Sequence, residues 1–288
     1  MKRKITYLII ALLLVVTTGC SIRRDTMENI NIYTTSYPIE YVTNYLYGDH
    51  SNIKSIYPRG VINKNYQLTD IEIKNYSKGD LFIFDGLSKE QGYINTMLKN
   101  NRNLKIIDAT KTIYYQYGEK EIWLNPSNIL MIAKNVKDGL DEYISNKYLK
   151  NNIATNYEEL KLTISKLEAK IYLMVEECDD KTIIVSNDSL NFLSKYGLNV
   201  ISLDTNNSLL EKNAETVRNL INDKKINYIF MLDNEEKNPT IDSLSKNLKI
   251  VYLNDLSNLN ENDLKENKDY LSVMNDNIDL LRAEIYNR

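Results

Sequence analysis

The sequence IATNYEELKLTISKLEAKIYLM, residues 153–174, carries a single apolar stripe with helical spacing. Apolar side chains recur at alternating steps of four and three residues, at Ile153, Tyr157, Leu160, Ile164, Leu167, Ile171 and Met174. This spacing predicts an amphipathic α-helix, about 33 Å long at ~1.5 Å per residue. No Gly or Pro interrupts it, so we expect no kink. A coiled coil is the alternative, although the heptads stop after about three.

Short β runs alternate with helical patterns on both sides of this helix. The predicted strands are residues 30–34, 53–57, 81–84 and 105–108 before it, and 182–186, 199–203, 228–232 and 249–253 after it. Continuous apolar runs such as Leu81-Phe82-Ile83-Phe84 are typical of parallel strands covered on both faces. The pattern predicts an α/β fold with two doubly wound lobes, each with its own core, joined by one long rigid helix. A ligand cleft is expected between the lobes.

Local signals define several element ends. Thr69 and Glu72 form a capping box at a helix start, and Asn125-Pro126 combines an N-cap with Pro at the first helical position. Gly197 is expected to end a helix.

The first 19 residues have the features of a targeting segment. Lys2, Arg3 and Lys4 precede an apolar run at residues 5–16, which is short for a membrane span. Thr17-Thr18-Gly19-Cys20 resembles a bacterial lipobox, so Cys20 is predicted to be acylated. An ordinary secretory signal with an incidental Cys is the alternative. The predicted location is the extracytoplasmic face of the cell membrane, with a lipid anchor.

The predicted organisation has five parts. They are a signal peptide (1–19), a lipidated tether (20–29), an N-terminal lobe (30–150), the interlobe helix (151–178) and a C-terminal lobe (179–288).

The chain has 36 basic and 39 acidic residues, and removal of the three basic leader residues takes the formal charge from −3 to −6. This acidic balance argues against nucleic acid as a partner.

No catalytic signature is found in the sequence. His50 is the only histidine and lies in the turn-like segment Gly48-Asp49-His50-Ser51. The sequence contains no G-x-S-x-G, H-E-x-x-H, C-x-x-C, G-x-x-x-x-G-K or G-x-G-x-x-G motif. We therefore predict that the protein is not an enzyme.

Several short motifs together resemble the metal-binding lipoproteins of zinc and manganese ABC importers. In the first lobe these are Thr34-Thr35-Ser36-Tyr37-Pro38, Pro58-Arg59-Gly60-Val61, Asp80-Leu81-Phe82-Ile83-Phe84-Asp85-Gly86 and Trp123-Leu124-Asn125-Pro126. In the second lobe they are Val185-Ser186-Asn187-Asp188, Tyr196-Gly197-Leu198 and Leu253-Asn254-Asp255-Leu256. The similarity covers about residues 29–288 and includes the lipobox. It implies a two-lobed fold with a rigid interlobe helix.

The resemblance also implies a metal site, whose ligands are substituted in this sequence. The two first-lobe His positions correspond to Lys64 and Glu121, the third ligand to Asn187, and the carboxylate near the last strand to Asn254. A protonated Lys cannot bind a metal, and Asn oxygens are weak donors for zinc. We therefore expect no bound metal or other cofactor.

A different use of the same positions follows as a hypothesis. Lys64 would replace the cation electrostatically, pair with Glu121 and bond to Asn187 and Asn254. This arrangement would hold the lobes together or offer donors and acceptors to a small polar solute. Further predicted cleft residues are Tyr37, Tyr66 and Trp123, with lobe packing as the alternative role of Trp123.

The sequence thus predicts an extracytoplasmic solute-binding lipoprotein of a metal-type ABC importer with a diverged ligand site. Its expected partners are a membrane permease, a small solute and the lipid bilayer reached through acylated Cys20. The alternative is a surface adhesin or interaction protein that kept the fold and lost transport. A large exposed apolar patch away from the cleft would favour that alternative.

Overall fold

The computed structural model describes residues 27–61, 65–113 and 121–286. These residues form two four-stranded parallel sheets, one on each side of a single long helix. The predicted fold class of two α/β lobes joined by one helix is confirmed. None of the helices in these ranges combines the length and apolar character needed to cross a bilayer.

The first lobe contains a sheet with strand order β2-β1-β3-β4. Its elements are β1 (Ile30–Thr34), α1 (Tyr37–Tyr47), β2 (Ser51–Ser55), α2 (Asp70–Tyr76), β3 (Leu81–Phe84), α3 (Ile94–Asn100), β4 (Lys105–Asp108) and α4 (Pro126–Tyr143). Strand β2 begins two residues before the predicted start, because it pairs with β1 from Ile30 opposite Ser51 onward. A short 3₁₀ turn at Ile122–Leu124 leads into α4.

The long helix α5 (Lys147–Glu176) follows and is 30 residues long. It starts before the predicted boundary because the side chain of Asn146 caps it by accepting the Tyr148 N–H at 2.9 Å. The apolar stripe is buried as predicted, apart from Tyr157, which is half-buried. The proposed domain boundaries themselves stay a prediction.

The second lobe repeats the strand order of the first, as β6-β5-β7-β8. Its elements are β5 (Thr182–Val185), β6 (Asn199–Ser202), α6 (Leu210–Asn222), β7 (Tyr228–Leu232), α7 (Pro239–Leu244), β8 (Lys249–Leu253), α8 (Glu261–Lys265) and α9 (Tyr270–Tyr286). The segment Asp188–Tyr196, between β5 and β6, is 3₁₀ rather than α-helical, and Gly197 ends it with φ of 100°.

One buried apolar cluster runs through both lobes. It includes Ile83 of the first sheet, Ile164 of α5, Ile184 of the second sheet and Met274 of α9. The expectation that each lobe has a separate core is therefore wrong, because the buried face of α5 packs against both. A smaller cluster covers the other face of the first sheet, where Phe82 and Phe84 point away from the shared core.

A polar contact also joins the lobes through α5. The carboxylate of Glu168 accepts hydrogen bonds from Ser127 of α4 at 3.2 Å, Lys195 at 2.5 Å and Tyr196 at 3.0 Å. Hydrogen bonds of Glu168 thus connect the helix to both lobes, in addition to the apolar packing.

Candidate functional site

A cleft of about 280 Å³ opens at the carboxyl ends of the second-lobe strands. Ser186 follows β5, Asp204 follows β6, Leu232 ends β7 and Asp255 follows β8, and all four line the cleft. Ligand sites of parallel α/β sheets lie at this edge. Glu121 reaches the same cleft from the first lobe. The predicted cleft between the lobes is therefore present.

The lining of this cleft is acidic and rich in amides. Its carboxylates are Glu121, Asp204, Glu235, Glu236 and Asp255. Its amides are Asn187, Asn206, Asn234 and Asn238. Lys, Arg and His are absent from the lining within residues 27–61, 65–113 and 121–286. The lining residues that the structure describes therefore carry negative charge, which attracts cations.

Glu121 connects the lobes at the cleft. Its backbone lies in the left-handed region, with φ of 42°, at the start of the 3₁₀ turn Ile122–Leu124. Ser189 of the second lobe donates its hydroxyl to Glu121 Oε2 at 2.8 Å. The strained backbone and the bond across the interface direct the carboxylate toward the second lobe.

Asn187 is brought to the same cleft as Glu121, as the sequence predicts. It is buried, and its Oδ1 accepts the Ser189 N–H at 2.8 Å, which caps the 3₁₀ segment Asp188–Tyr196. Asn187 and Ser189 thus fix the position of this segment beside Glu121.

Asn254 does not line the cleft. Its Oδ1 accepts the Leu256 N–H at 2.8 Å, and its amide donates to Asp263 at 3.3 Å. The next residue, Asp255, faces the cleft instead and is buried. The sequence analysis placed the cleft residue at Asn254, one position before Asp255. The carboxylate of Asp255 in the motif Leu253-Asn254-Asp255-Leu256 was a signal that could have identified it.

The Asp255 carboxylate is held firmly. Its Oδ1 accepts the N–H and hydroxyl of Ser257, both at 2.8 Å, and its Oδ2 accepts the Asn234 amide at 3.1 Å. Its backbone N–H donates to Asp233 Oδ1 at 3.1 Å. Loss of solvation at the Asp233 carboxyl, followed by repulsion from Asp255, raises the pKa of Asp233 to about 6.

The three predicted aromatic cleft residues lie elsewhere. Tyr37 is buried at the lobe interface under Arg59, whose guanidinium carbon is 5.5 Å from the ring centroid. Tyr66 donates its hydroxyl to Glu72 at 2.5 Å within the first lobe. Trp123 packs between the lobes and donates its indole N–H to the Asp255 carbonyl at 2.7 Å. Lobe packing, the alternative role considered for Trp123, is therefore the one observed.

Lys64 and Cys20 fall outside the described residues. The predicted Lys64–Glu121 pair and the acylation of Cys20 therefore stay predictions. Within the three ranges that the structure describes, no group of three or more His, Cys, Asp or Glu side chains is arranged to hold a metal ion.

The chain matches the family model described as zinc-uptake complex component A, periplasmic, over residues 32–284. It is 23% identical to the zinc-binding lipoprotein AdcA of Streptococcus pneumoniae over 97% of this chain and 60% of that protein. It thus spans about 60% of the length of that curated relative. A metal ABC transporter substrate-binding lipoprotein of Lactococcus lactis is 25% identical over 70% of this chain and 71% of its own length.

The solved structures give the same fold. The Zn(II)-bound ZnuA-like domain of Streptococcus pneumoniae AdcA has a TM-score of 0.70 and 20% identity, covering 89% of this chain and 99% of that domain. The metal-dependent lipoprotein YcdH of Bacillus subtilis has a TM-score of 0.72 and 18% identity, with 89% and 99% covered.

The expectation of no associated metal is wrong. The matched family model describes a zinc-uptake component, and the solved AdcA domain holds Zn(II). The expectation rested on four aligned positions and counted Asn254 as a lost carboxylate. The structure places a carboxylate, Asp255, in the cleft that Glu121 also lines.

Proposed function

Because this chain belongs to the family of periplasmic zinc-uptake components, we propose that it is the solute-binding receptor of a metal-type ABC importer. The family consists of solute-binding receptors, which confirms the prediction that the protein is not an enzyme. The observation that carries the proposal is the acidic cleft between the lobes, with carboxylates contributed by both. A receptor of this kind would pass its cargo to a membrane permease.

The proposed cargo is a divalent metal cation, with zinc as the first ion to test. Carboxylate oxygens bind zinc at about 2.0–2.2 Å, and carboxylates with amide oxygens and water also suit harder cations such as Mn²⁺. The cleft is about 280 Å³, which leaves room for a cation that keeps part of its water shell. The described lining residues would then supply oxygen ligands and negative potential.

The membrane anchor belongs to the same proposal. The lipobox-like sequence ending at Cys20 supports it, as does the word lipoprotein in the names of the AdcA and Lactococcus lactis relatives. The receptor would be tethered by acyl chains at the extracytoplasmic face of the membrane.

The exposed large apolar side chains of the protein belong to many different elements, including Ile71 of α2, Leu162 of α5 and Tyr252 of β8. The exposed apolar side chains of the described residues are therefore spread over both lobes, which gives no support to the adhesin alternative.

Zinc titration of the full-length chain in mild detergent tests the proposal. Saturating Zn²⁺ at about 100 times its Kd should stabilise the fold by ~2.7 kcal/mol, seen as a rise in Tm that chelator reverses. Mn²⁺ and Mg²⁺ in parallel titrations would rank the cations. A chain whose Tm responds to none of these ions would contradict the proposal and favour the surface-interaction alternative.

A pair of variants locates the site. Glu121→Gln keeps an acceptor for Ser189 and removes the charge, so zinc affinity should fall at least about tenfold, or ~1.4 kcal/mol. Glu215→Gln is the matched control, because it removes a carboxylate from an exposed position of α6. Equal zinc affinity in both variants would show that the Glu121 carboxylate does not contribute to zinc binding.

A further inference from the structure

We propose that Trp123 is a positioning residue of the cleft, which sets the Glu121 and Asp255 carboxylates of opposite lobes relative to each other. The inference rests on the proposed function of the cleft as a cation site. Trp123 itself does not line the cleft, but it would fix the positions of two residues, Glu121 and Asp255, that line it.

Trp123 is bonded on both sides of the interface. Its indole N–H donates to the Asp255 carbonyl at 2.7 Å, and its own carbonyl accepts the Tyr270 hydroxyl of α9 at 2.7 Å. Both bonds join the first lobe to the second. Trp123 is therefore bonded to Asp255, one of the second-lobe residues whose carboxylates line the cleft.

The same turn carries the first-lobe carboxylate. Glu121 precedes the 3₁₀ turn Ile122–Leu124, and its carbonyl accepts the Leu124 N–H at 3.0 Å. Asn128 of α4 donates its amide to the Ile122 carbonyl at 2.9 Å, which ties this turn to the helix that follows. A shift of Trp123 would thus move Glu121 with it.

The second-lobe loop at residues 254–259 holds a strained conformation. Leu256 is fully buried with φ of 58°, a region that bulky side chains rarely adopt. Such a backbone persists only where its surroundings hold it. The bond from Trp123 to the Asp255 carbonyl lies directly before this residue and is one of the contacts that hold it.

Other residues of this loop also form hydrogen bonds with the first lobe. Tyr37 donates its N–H to the Ser257 carbonyl at 3.2 Å, and Gly60 donates its N–H to the Leu259 carbonyl at 3.1 Å. Asn258 donates its amide to the carbonyls of Pro58 at 2.7 Å and Val61 at 3.1 Å. Among these contacts, only the one from Trp123 acts on Asp255 itself.

The consequence is a preorganised pair of carboxylates. A cation that binds between side chains already fixed in place does not have to order them, so less binding free energy is lost. Loss of the indole N–H should therefore weaken cation binding without removing any group that contacts the cation.

Trp123→Phe tests this inference in the full-length chain, because it keeps an aromatic ring at the interface but removes the indole N–H together with the five-membered part of the ring. Zinc affinity should fall by about five- to tenfold, as expected for one lost hydrogen bond. Hydrogen exchange at the amides of Asp255 and Ser257 should accelerate by about tenfold without any metal present. Tyr270→Phe, which loosens Trp123 from the other side, should change both quantities in the same direction.

Tyr286→Phe serves as the matched control. It removes a hydroxyl bond of 2.8 Å to the Met174 carbonyl, away from the cleft, and should leave zinc affinity and exchange at Asp255 unchanged. Unchanged exchange at Asp255 and Ser257 in Trp123→Phe would overturn the inference, as would unchanged zinc affinity. A wild-type chain that binds no zinc, with faster exchange in the variant, would instead overturn the proposed function and leave Trp123 a structural clamp.

Discussion

The two lobes share one strand order, yet they contribute unequally to the cleft. Their sheets run β2-β1-β3-β4 and β6-β5-β7-β8. Among the described lining residues, Glu121 alone comes from the first lobe, and the others lie at or after the ends of second-lobe strands. Sheet topology therefore fixes where a site can form, whereas the loops decide which lobe supplies its groups.

The first lobe mainly holds the second in place. Tyr37, Gly60 and Trp123 all bond to residues 254–259, the loop that carries Asp255. The second lobe thus supplies most of the cleft residues, while the first lobe holds the loop that carries one of them, Asp255, in place. Three substitutions test this division of roles.

Ile164→Ala should have the largest effect, because this side chain is fully buried in the core that both lobes share. The cavity should lower the free energy of unfolding by about 2–5 kcal/mol. Urea denaturation should still show one transition, with circular dichroism and tryptophan fluorescence coincident.

The neighbouring Leu162→Ala is the control on the same helix, since Leu162 is 59% exposed, and it should change stability by less than ~0.5 kcal/mol. Two separate transitions in the Ile164→Ala variant would mean that the lobes unfold independently despite their shared core.

Asn258→Ala should have an intermediate effect by weakening the hold of the first lobe. The substitution removes the two amide bonds to the Pro58 and Val61 carbonyls, at a cost of about 1–2 kcal/mol in a half-buried position. Urea denaturation would measure the change. Asn262→Ala, at an exposed position of α8, is the control. Equal losses in the two variants would contradict a specific role for Asn258.

Asp233→Asn should have the smallest effect, and its size should depend on pH. The pKa of Asp233 is about 6 in the folded state and ~4 in the unfolded state, so the folded wild type loses stability as the pH rises from ~4 to ~6. Above pH ~6 this loss stays constant. The variant lacks this loss, so its free energy of unfolding should exceed that of the wild type by under ~1 kcal/mol at pH 8, because solvent that reaches the Asp233 side chain screens the repulsion from Asp255.

At pH 4 that advantage should vanish. Thermal unfolding of both chains across pH 4–8 would measure the difference. A stability difference that does not vary with pH would show that ionisation of Asp233 has no influence on the fold.

Periodicity and capping chemistry were sufficient to predict the fold. The apolar stripe of α5 is buried, and the capping box of Thr69 and Glu72 forms with both of its hydrogen bonds. Asn125 caps α4 with Pro126 at the first position, and Gly197 ends the 3₁₀ segment with a positive φ. Each signal acts within a few residues, so the sequence contains all the information needed.

The site was predicted less well, because long-range contacts determine it. Asp255 rather than Asn254 lines the cleft, in a loop that the first lobe contacts through Trp123 and that contains the left-handed Leu256. The partner of Trp123 lies 132 residues further along the chain. Glu121 and Asn187 were identified through a family resemblance, which supplies the long-range information that local spacing lacks.

The position of Trp123 has one more consequence, for how this protein is observed. It is the only tryptophan of the chain, and its indole N–H is bonded across the lobe interface. Tryptophan fluorescence of this protein therefore reports on the interface between the lobes, because no other indole contributes to the signal. The wavelength and lifetime of its emission should therefore show whether the two lobes separate or stay together during a zinc titration.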